Sequence, residues 1–370
     1  MALPLSASRK LLRAAAVPVI LGAFPALAFT ASAGGDLLGA TSDATAPSHA
    51  HTTATPAQLA TAFVRRQQVV APGGGARAFA PLAASRYARS INTGSLGAVN
   101  SAYWSMFEEA ADLPTGWTGS VDGCQRGTTS TESRDATLRS LNFVRRLGGL
   151  APVRFSGTLN AHAQSAALMM SANNQLSHFP PSTWRCYTQT GARTASRSNL
   201  ALAYPDITSG AIVEMYMDDI GSSNHAVGHR RWVLNPFATT MGSGSTGTAN
   251  ALQVVGPTRR GRPNPAYVSW PTRGWFPNTL EPRGRWSLSA GNSRTNFRDA
   301  RIHVTHAGHS LRVHKFAVEN GYGQPTLVWQ MPSSLQSSGS YHVKVSNIRH
   351  RGSGKRHTTR YTVRFFTPTP

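Results

Sequence analysis

The pattern of this chain changes once, at Gly256-Pro257-Thr258-Arg259-Arg260-Gly261-Arg262-Pro263, and that change restricts the fold more than any single motif. Upstream, apolar residues recur at helical spacing. Leu138, Leu141, Val144 and Leu147 form one stripe that Gly148-Gly149 stops. Ser156 or Thr158 is placed to cap a second helix with Leu159, Ala163, Ala166, Ala167 and Met170 inward. A third helix is expected from Thr208 to about Ile220, on Ala211, Ile212, Met215 and Tyr216, followed by strands at Thr239–Gly244 and Ala249–Val255. Helices with such strands predict a layered α/β domain. Downstream, the runs Arg301–Thr305, Leu311–Ala317, Thr326–Gln330, Ser340–Val345 and Arg360–Phe365 are short and rich in β-branched or aromatic residues. Tyr341–Val345 and Tyr361–Phe365 alternate apolar with polar, as half-buried strands do. They predict an all-β, immunoglobulin-like sandwich without its intersheet disulfide.

Charge changes at the same junction. Between Leu96 and Pro257, 11 arginines and no lysine face 10 acids; from Thr258 to Pro370, 15 arginines and 3 lysines face only Glu281, Asp299 and Glu319. Most of the chain's net charge of +22 therefore belongs to the last segment, densest at Arg349, Arg351, Lys355, Arg356 and Arg360. This run reads as a long exposed hairpin loop between strands. Its expected partners are an anionic envelope polymer, a membrane surface or extracellular nucleic acid. Sequence-specific nucleic-acid binding is not expected, because no recognition motif or aromatic platform accompanies the charge. If the junction separates two independent units, deleting Thr258–Pro370 should abolish envelope association and leave the first domain folded.

Ahead of both domains, Arg9, Lys10 and Arg13 precede an apolar stretch that ends in Ala31-Ser32-Ala33, the pattern of a secretory signal over residues 1–33. Residues 34–100 are rich in Ala, Thr, Ser, Gly and Pro and read as a spacer. Domains are thus expected at 101–257 and 258–370, in a secreted or envelope-associated protein that works as a monomer. An exported chain with two cysteines pairs them as a rule, so Cys124 and Cys186 are expected to be bridged.

Polar residues of unusual context gather in the first domain: His178 in Leu176-Ser177-His178-Phe179, Asp218-Asp219 at the end of the third helix, and His229 in Gly228-His229-Arg230-Arg231-Trp232. Two carboxylates at a helix C-terminus oppose its macrodipole and call for a basic or metallic partner. The run from about Arg134 to Val255 resembles the CAP superfamily of cysteine-rich secretory, antigen 5 and pathogenesis-related proteins, in the form found in bacteria. The matching pieces are Asn142-x-x-Arg145-x-x-Gly148-Gly149-Leu150-x-Pro152, Leu176-Ser177-His178, Ser198-Asn199-Leu200-Ala201 and Tyr216-Met217-Asp218-Asp219-x-Gly221-x-x-Asn224-x-x-Val227-Gly228-His229. Val268-Ser269-Trp270-Pro271 and Gly284-Arg285-Trp286-Ser287 resemble the strand-rich extension that follows such domains.

The resemblance implies an α-β-α sandwich whose cleft holds two histidines and two acids. His178 and His229 match the histidines and Asp219 one acid, with Asp218 as the alternative register; Asn199 lies beside the second position. There Ser198 stands where the family pattern Gly-Glu-Asn-Leu-Ala has its glutamate. A hydroxyl forms hydrogen bonds, but it does not act as a general base or neutralise a divalent ion. His178, His229 and Asp219 would suit zinc, and the competing reading is a hydrogen-bond network that needs no cofactor. The sequence shows no Ser-His-Asp signature, so a non-enzymatic role is favoured over a metal-assisted hydrolase. The family suggests capture of a small apolar or lipid-like ligand, and a purely adhesive envelope protein is the third alternative.

Overall fold

The computed structural model describes residues 19–20, 90–219, 221, 224–262, 264–291 and 294–370. Apart from Val19–Ile20, a two-residue strand (β1), the expected signal and the spacer as far as residue 89 lie outside them. Helix α1, Leu96–Met106, starts inside the stretch read as spacer; Ser95 caps it by accepting the Ala98 N–H. Its buried Val99, Tyr103 and Met106 follow helical spacing, but Gly, Ala, Ser and Asn between them mask the signal in the sequence.

Helix α2 is Thr131–Leu147, capped by Ser130 and closed by Gly148, with Arg145 and Arg146 in the last turn, where cations suit the macrodipole. Strand β2 is Arg154–Phe155; α3 is Gly157–Asn173, closed by Asn174 in the left-handed conformation. Then come α4 (Gln189–Ala195), β3 (Ser198–Leu202), α5 (Ser209–Asp218) and α6 (Gly228–Val233). Strands β4 (Thr240–Ser245) and β5 (Ala249–Gln253) finish the domain close to where the sequence places them.

The sheet order is β1-β3-β5-β4-β2, antiparallel except for the β2–β4 pair. On one face Ala163, Ala166, Ala167 and Met170 of α3 pack with Leu200, Leu202 and Ala251. On the other, Leu141, Val144, Ile212 and Tyr216 pack with Met241 and Leu252. This is the α-β-α layering. Helix α3 reaches β4 at backbone contact: a Cβ at Gly242 would lie 2.4 Å from the Leu159 carbonyl carbon, and one at Gly244 2.2 Å from the Gln164 nitrogen. Any larger residue at either position would push helix from sheet.

The last segment forms two further sheets. One, in the order β12-β13-β8-β6, joins His314–Lys315 (β12), Thr326–Gln330 (β13), Arg285–Ala290 (β8) and Tyr267–Trp270 (β6). The other, in the order β11-β10-β14-β15-β7, joins His309–Leu311 (β11), Arg301–His306 (β10), Ser340–His350 (β14), Arg356–Phe366 (β15) and Gly274–Pro277 (β7). The short strand β9, Thr295–Asn296, adds to β14. Trp286 sits between the sheets, with ring centroids 5.6 to 6.4 Å from those of Tyr341, Phe365 and Trp329. The run expected as one strand at Leu311–Ala317 is divided between β11 and β12.

One expectation needs correction. The basic run is not a long loop. Strands β14 and β15 extend beyond Val345 and ahead of Arg360, so Arg349, Arg356 and Arg360 are strand residues and the turn spans only Arg351–Lys355. The two expected domains also pack together: Leu141, Phe143 and Leu147 of the first share one continuous buried cluster with Trp270, Phe276 and Trp286 of the second. Tyr103 and Thr279 hydroxyls meet across the seam at 3.2 Å, and Asn100 exchanges two hydrogen bonds with Thr369 near the C-terminus. Deleting Thr258–Pro370 would strip one wall from the core of the first domain. Cys124 and Cys186 are bridged as expected, and Arg185 pairs with Asp122 beside them at 3.0 Å. No helix among the described residues is long and apolar enough to cross a membrane.

Candidate functional site

Helix α5 ends on Asp219, which takes the left-handed conformation at φ 50° and is fully buried. The chain turns back there, and α6 then presents His229 to the same carboxylate. His229 Nδ1 donates to Asp219 Oδ1 at 2.7 Å, the Arg230 backbone N–H donates to Oδ2 at 3.1 Å, and the Asn224 side-chain amide donates to Oδ1. Burial alone would raise the Asp219 carboxyl, but His229, with its charge and hydrogen bond, and Arg230 hold it below its ordinary value. An ionised carboxylate only accepts, so the proton of the short bond sits on His229 Nδ1. Nε2 of His229 is thereby turned inward; it is buried and has no hydrogen-bond partner among the described residues.

His178 arrives from the loop after α3. Its Nδ1–H donates to the Ala195 carbonyl at 2.8 Å, at the end of α4. Burial, with a smaller contribution from the charge of His229, pushes His178 down to about 4, against the opposing pull of that carbonyl. The ring is therefore neutral at pH 7. Tyr216 is stacked on His229 at 5.6 Å. Beside them runs β3. Ser198 donates to the Thr194 carbonyl at 2.7 Å, Asn199 donates its amide to the His229 carbonyl at 3.1 Å, and the Asn199 side-chain oxygen is buried without a partner among the described residues. His178, Ser198, Asn199, Asp219 and His229 thus lie in one buried region. Asp218 does not join it: its carboxylate turns toward Arg283, 3.9 Å away.

The donor set does not suit zinc. Asp219 is committed to His229, Arg230 and Asn224, and Ser198 to Thr194. Among the described residues no three His, Cys, Asp or Glu side chains converge to hold a metal ion. The histidines are only 3% and 2% exposed, and the two cavities described lie elsewhere. What the arrangement does chemically is fasten α5, α6, α4 and β3 together through buried polar contacts.

Arg230 and Arg231 directly follow His229 in the sequence. Both reach into the sandwich. Buried Arg230 donates to the carbonyls of Met217 and Asp218 on its own side, and to the Arg285 carbonyl and the Ser287 hydroxyl across the seam. Arg231 donates to the Glu319 and Gln324 carbonyls and lies over Tyr322, 5.4 Å from its ring centroid. In return Arg285 donates to the carbonyls of Gly221 and Asn224. Arg285 stood in a motif read as accessory, and nothing local in the sequence connects it to the histidine cluster. Arg145 fills a comparable role: fully buried, it donates to the carbonyls of Ala151, Val233 and Asn235, while Asn142 clamps Val153 from both its amide atoms. Burial, then Arg262, lowers Arg145 to about 9.

On the outer face of the sandwich, Arg349, Arg351, Lys355, Arg356 and Arg360 are all exposed, as the sequence suggests; Arg349 pairs with Asp299 at 3.4 Å. Register adds what composition hides. Lys344 stands directly opposite Arg360 on one side and His303 on the other, and Arg349 stands opposite Arg356.

Residues 138–256 match the model of the family described as CAP, the cysteine-rich secretory protein family. No curated protein matches the chain. The matched segment contains every residue of the histidine cluster, helices α3 to α6 and strands β2 to β5 of the first sheet. Residues 138–256 are thus a CAP domain, and a β-rich extension follows it.

Proposed function

We propose that this is a non-catalytic, extracellular CAP-domain protein that adheres to an anionic envelope polymer through the outer face of its basic sandwich. The supporting observation is the row His303–Lys344–Arg360, three exposed basic side chains aligned across adjacent strands. Like charges directly opposite on a sheet destabilise it, and an anion lying across them reverses that cost. An intramolecular disulfide and a CAP domain accord with an extracellular setting. In this reading His178, Asp219 and His229 are a structural clamp that needs no cofactor. Capture of a small apolar or lipid-like ligand has less behind it, because the cavities described set hydroxyl groups and arginine among apolar residues such as Ile91, Leu147 and Leu288. A metal-assisted hydrolase would need an open ligand position and exposed histidines, and neither fits the donor set above.

The test is co-sedimentation of the full chain with an insoluble anionic polysaccharide, with neutral cellulose and with anionic lipid vesicles, over 50 to roughly 500 mM salt. Binding to the anionic polysaccharide that fades with salt is expected. Equal binding to cellulose would refute the reading, and binding to vesicles alone would move the target to a membrane surface.

A further inference from the structure

At the seam a cavity of about 300 Å³ opens between the end of α2 and the sandwich, and its lining is rich in hydroxyl groups. Thr272 is 2% exposed, and its hydroxyl has no hydrogen-bond partner among the described residues. The Tyr361 hydroxyl, also buried, has only the Ser269 hydroxyl beside it among the described residues. Tyr267 supplies an aromatic wall. A dry apolar ligand would leave these hydroxyls unsatisfied. A polyol ring would satisfy them.

A second cavity, of about 280 Å³, adjoins the first: Thr93 and Arg273 line both. It leads onto the outer cationic face and is lined by Arg364, which lies over Trp275 at 5.8 Å. Neither Arg273 nor Arg364 has a carboxylate within ion-pair distance among the described residues. Hydroxyl groups and a tyrosine face on one side of Arg273, with a second unpaired guanidinium on the other, match one ligand chemistry: a sugar ring carrying an acidic substituent.

We propose that the seam cavity binds one acidic saccharide unit, with its ring against Ser269, Thr272 and Tyr361 and its carboxylate or phosphate on Arg273 and Arg364. The proposal deepens the adhesion reading and rests on it only for the polymer's negative charge. The ring would order against fixed hydroxyls on rigid strands, so the site discriminates by ring as well as by charge.

The experiment is titration calorimetry or ligand-observed NMR on the full chain with glucuronate, glucose 6-phosphate, glucose and inorganic phosphate. Glucuronate or glucose 6-phosphate should bind at least tenfold more tightly than either glucose or phosphate, and the arm that binds identifies the acidic group. Arg273→Gln should weaken the acidic sugar about tenfold, and Thr272→Val about fivefold. Tyr361→Phe, which keeps the ring packing, serves if Thr272→Val fails to fold. Phosphate binding as tightly as the sugar phosphate would overturn the proposal, as would absence of binding by both acidic sugars. If the acidic sugars fail while the polymer still sediments with the protein, the cavity is excluded and the adhesion stands; if the polymer fails too, both readings fall.

Discussion

His178 stays neutral because its ring is buried beside a second imidazole, and that has a measurable consequence. Its folded value of about 4 lies below the 6.5 of an exposed imidazole. Above pH 6.5 the group is neutral in both states and adds nothing. As pH falls from 6.5 toward 4, only the unfolded chain takes the proton, and stability is lost, by roughly 3 kcal/mol over that window. His178→Gln, compared with the parent by urea melts at pH 7 and 4.5, should lose much less on acidification. An unchanged pH slope would mean that His178 is not held neutral. Asp219 acts in the same direction at lower pH: its depressed carboxyl contributes stability above its unfolded value and loses that contribution as pH falls through the folded one. Arg145 supports three carbonyls from the core, so Arg145→Met should cost about 3 kcal/mol in the same melts. A loss below 1 kcal/mol would show that water replaces the guanidinium.

At the scale of elements, the bridge between Cys124 and Cys186 closes a separation of 62 residues. The paired Cys124→Ser/Cys186→Ser variant should be less stable by roughly 4 kcal/mol, as read from its denaturation midpoint. A midpoint within 1 kcal/mol of the parent would place the loop's order in its packing. Lys344→Glu, which sets an acid opposite Arg360, should raise stability by about 0.5 kcal/mol while weakening adhesion. The long amphipathic elements were legible: strand Thr326–Gln330 has the limits expected, and the second and third helices lie close to theirs. Three short elements were not. Helix Gln189–Ala195 has a capping Thr188 but too few turns to show a stripe. Strand Ser198–Leu202 is buried along its whole length, so it never alternates. Helix Gly228–Val233 buries two arginines, which look solvent-facing until the carbonyls across the seam are known. The family resemblance, not periodicity, brought His178, Asp219 and His229 together, and it left their role as clamp or ligand open.

For the whole molecule, the shared core replaces the picture of two beads on a string. Residues 90–370 should unfold in one cooperative transition, with fluorescence and far-UV dichroism melting together, and Arg230→Met should lower that midpoint without splitting it. Two resolved transitions would restore separable domains. The inner residues of the sandwich brace the histidine cluster, and its outer face is the proposed site for the anion. The most direct measurement is sedimentation of Lys344→Gln/Arg360→Gln with the anionic polysaccharide, beside His178→Gln/His229→Gln, at fixed low salt. Severalfold weaker retention of the first pair and unchanged retention of the second is the expected result. Retention lost only in the histidine variant, with its fold intact, would place the binding in the cleft and contradict the account.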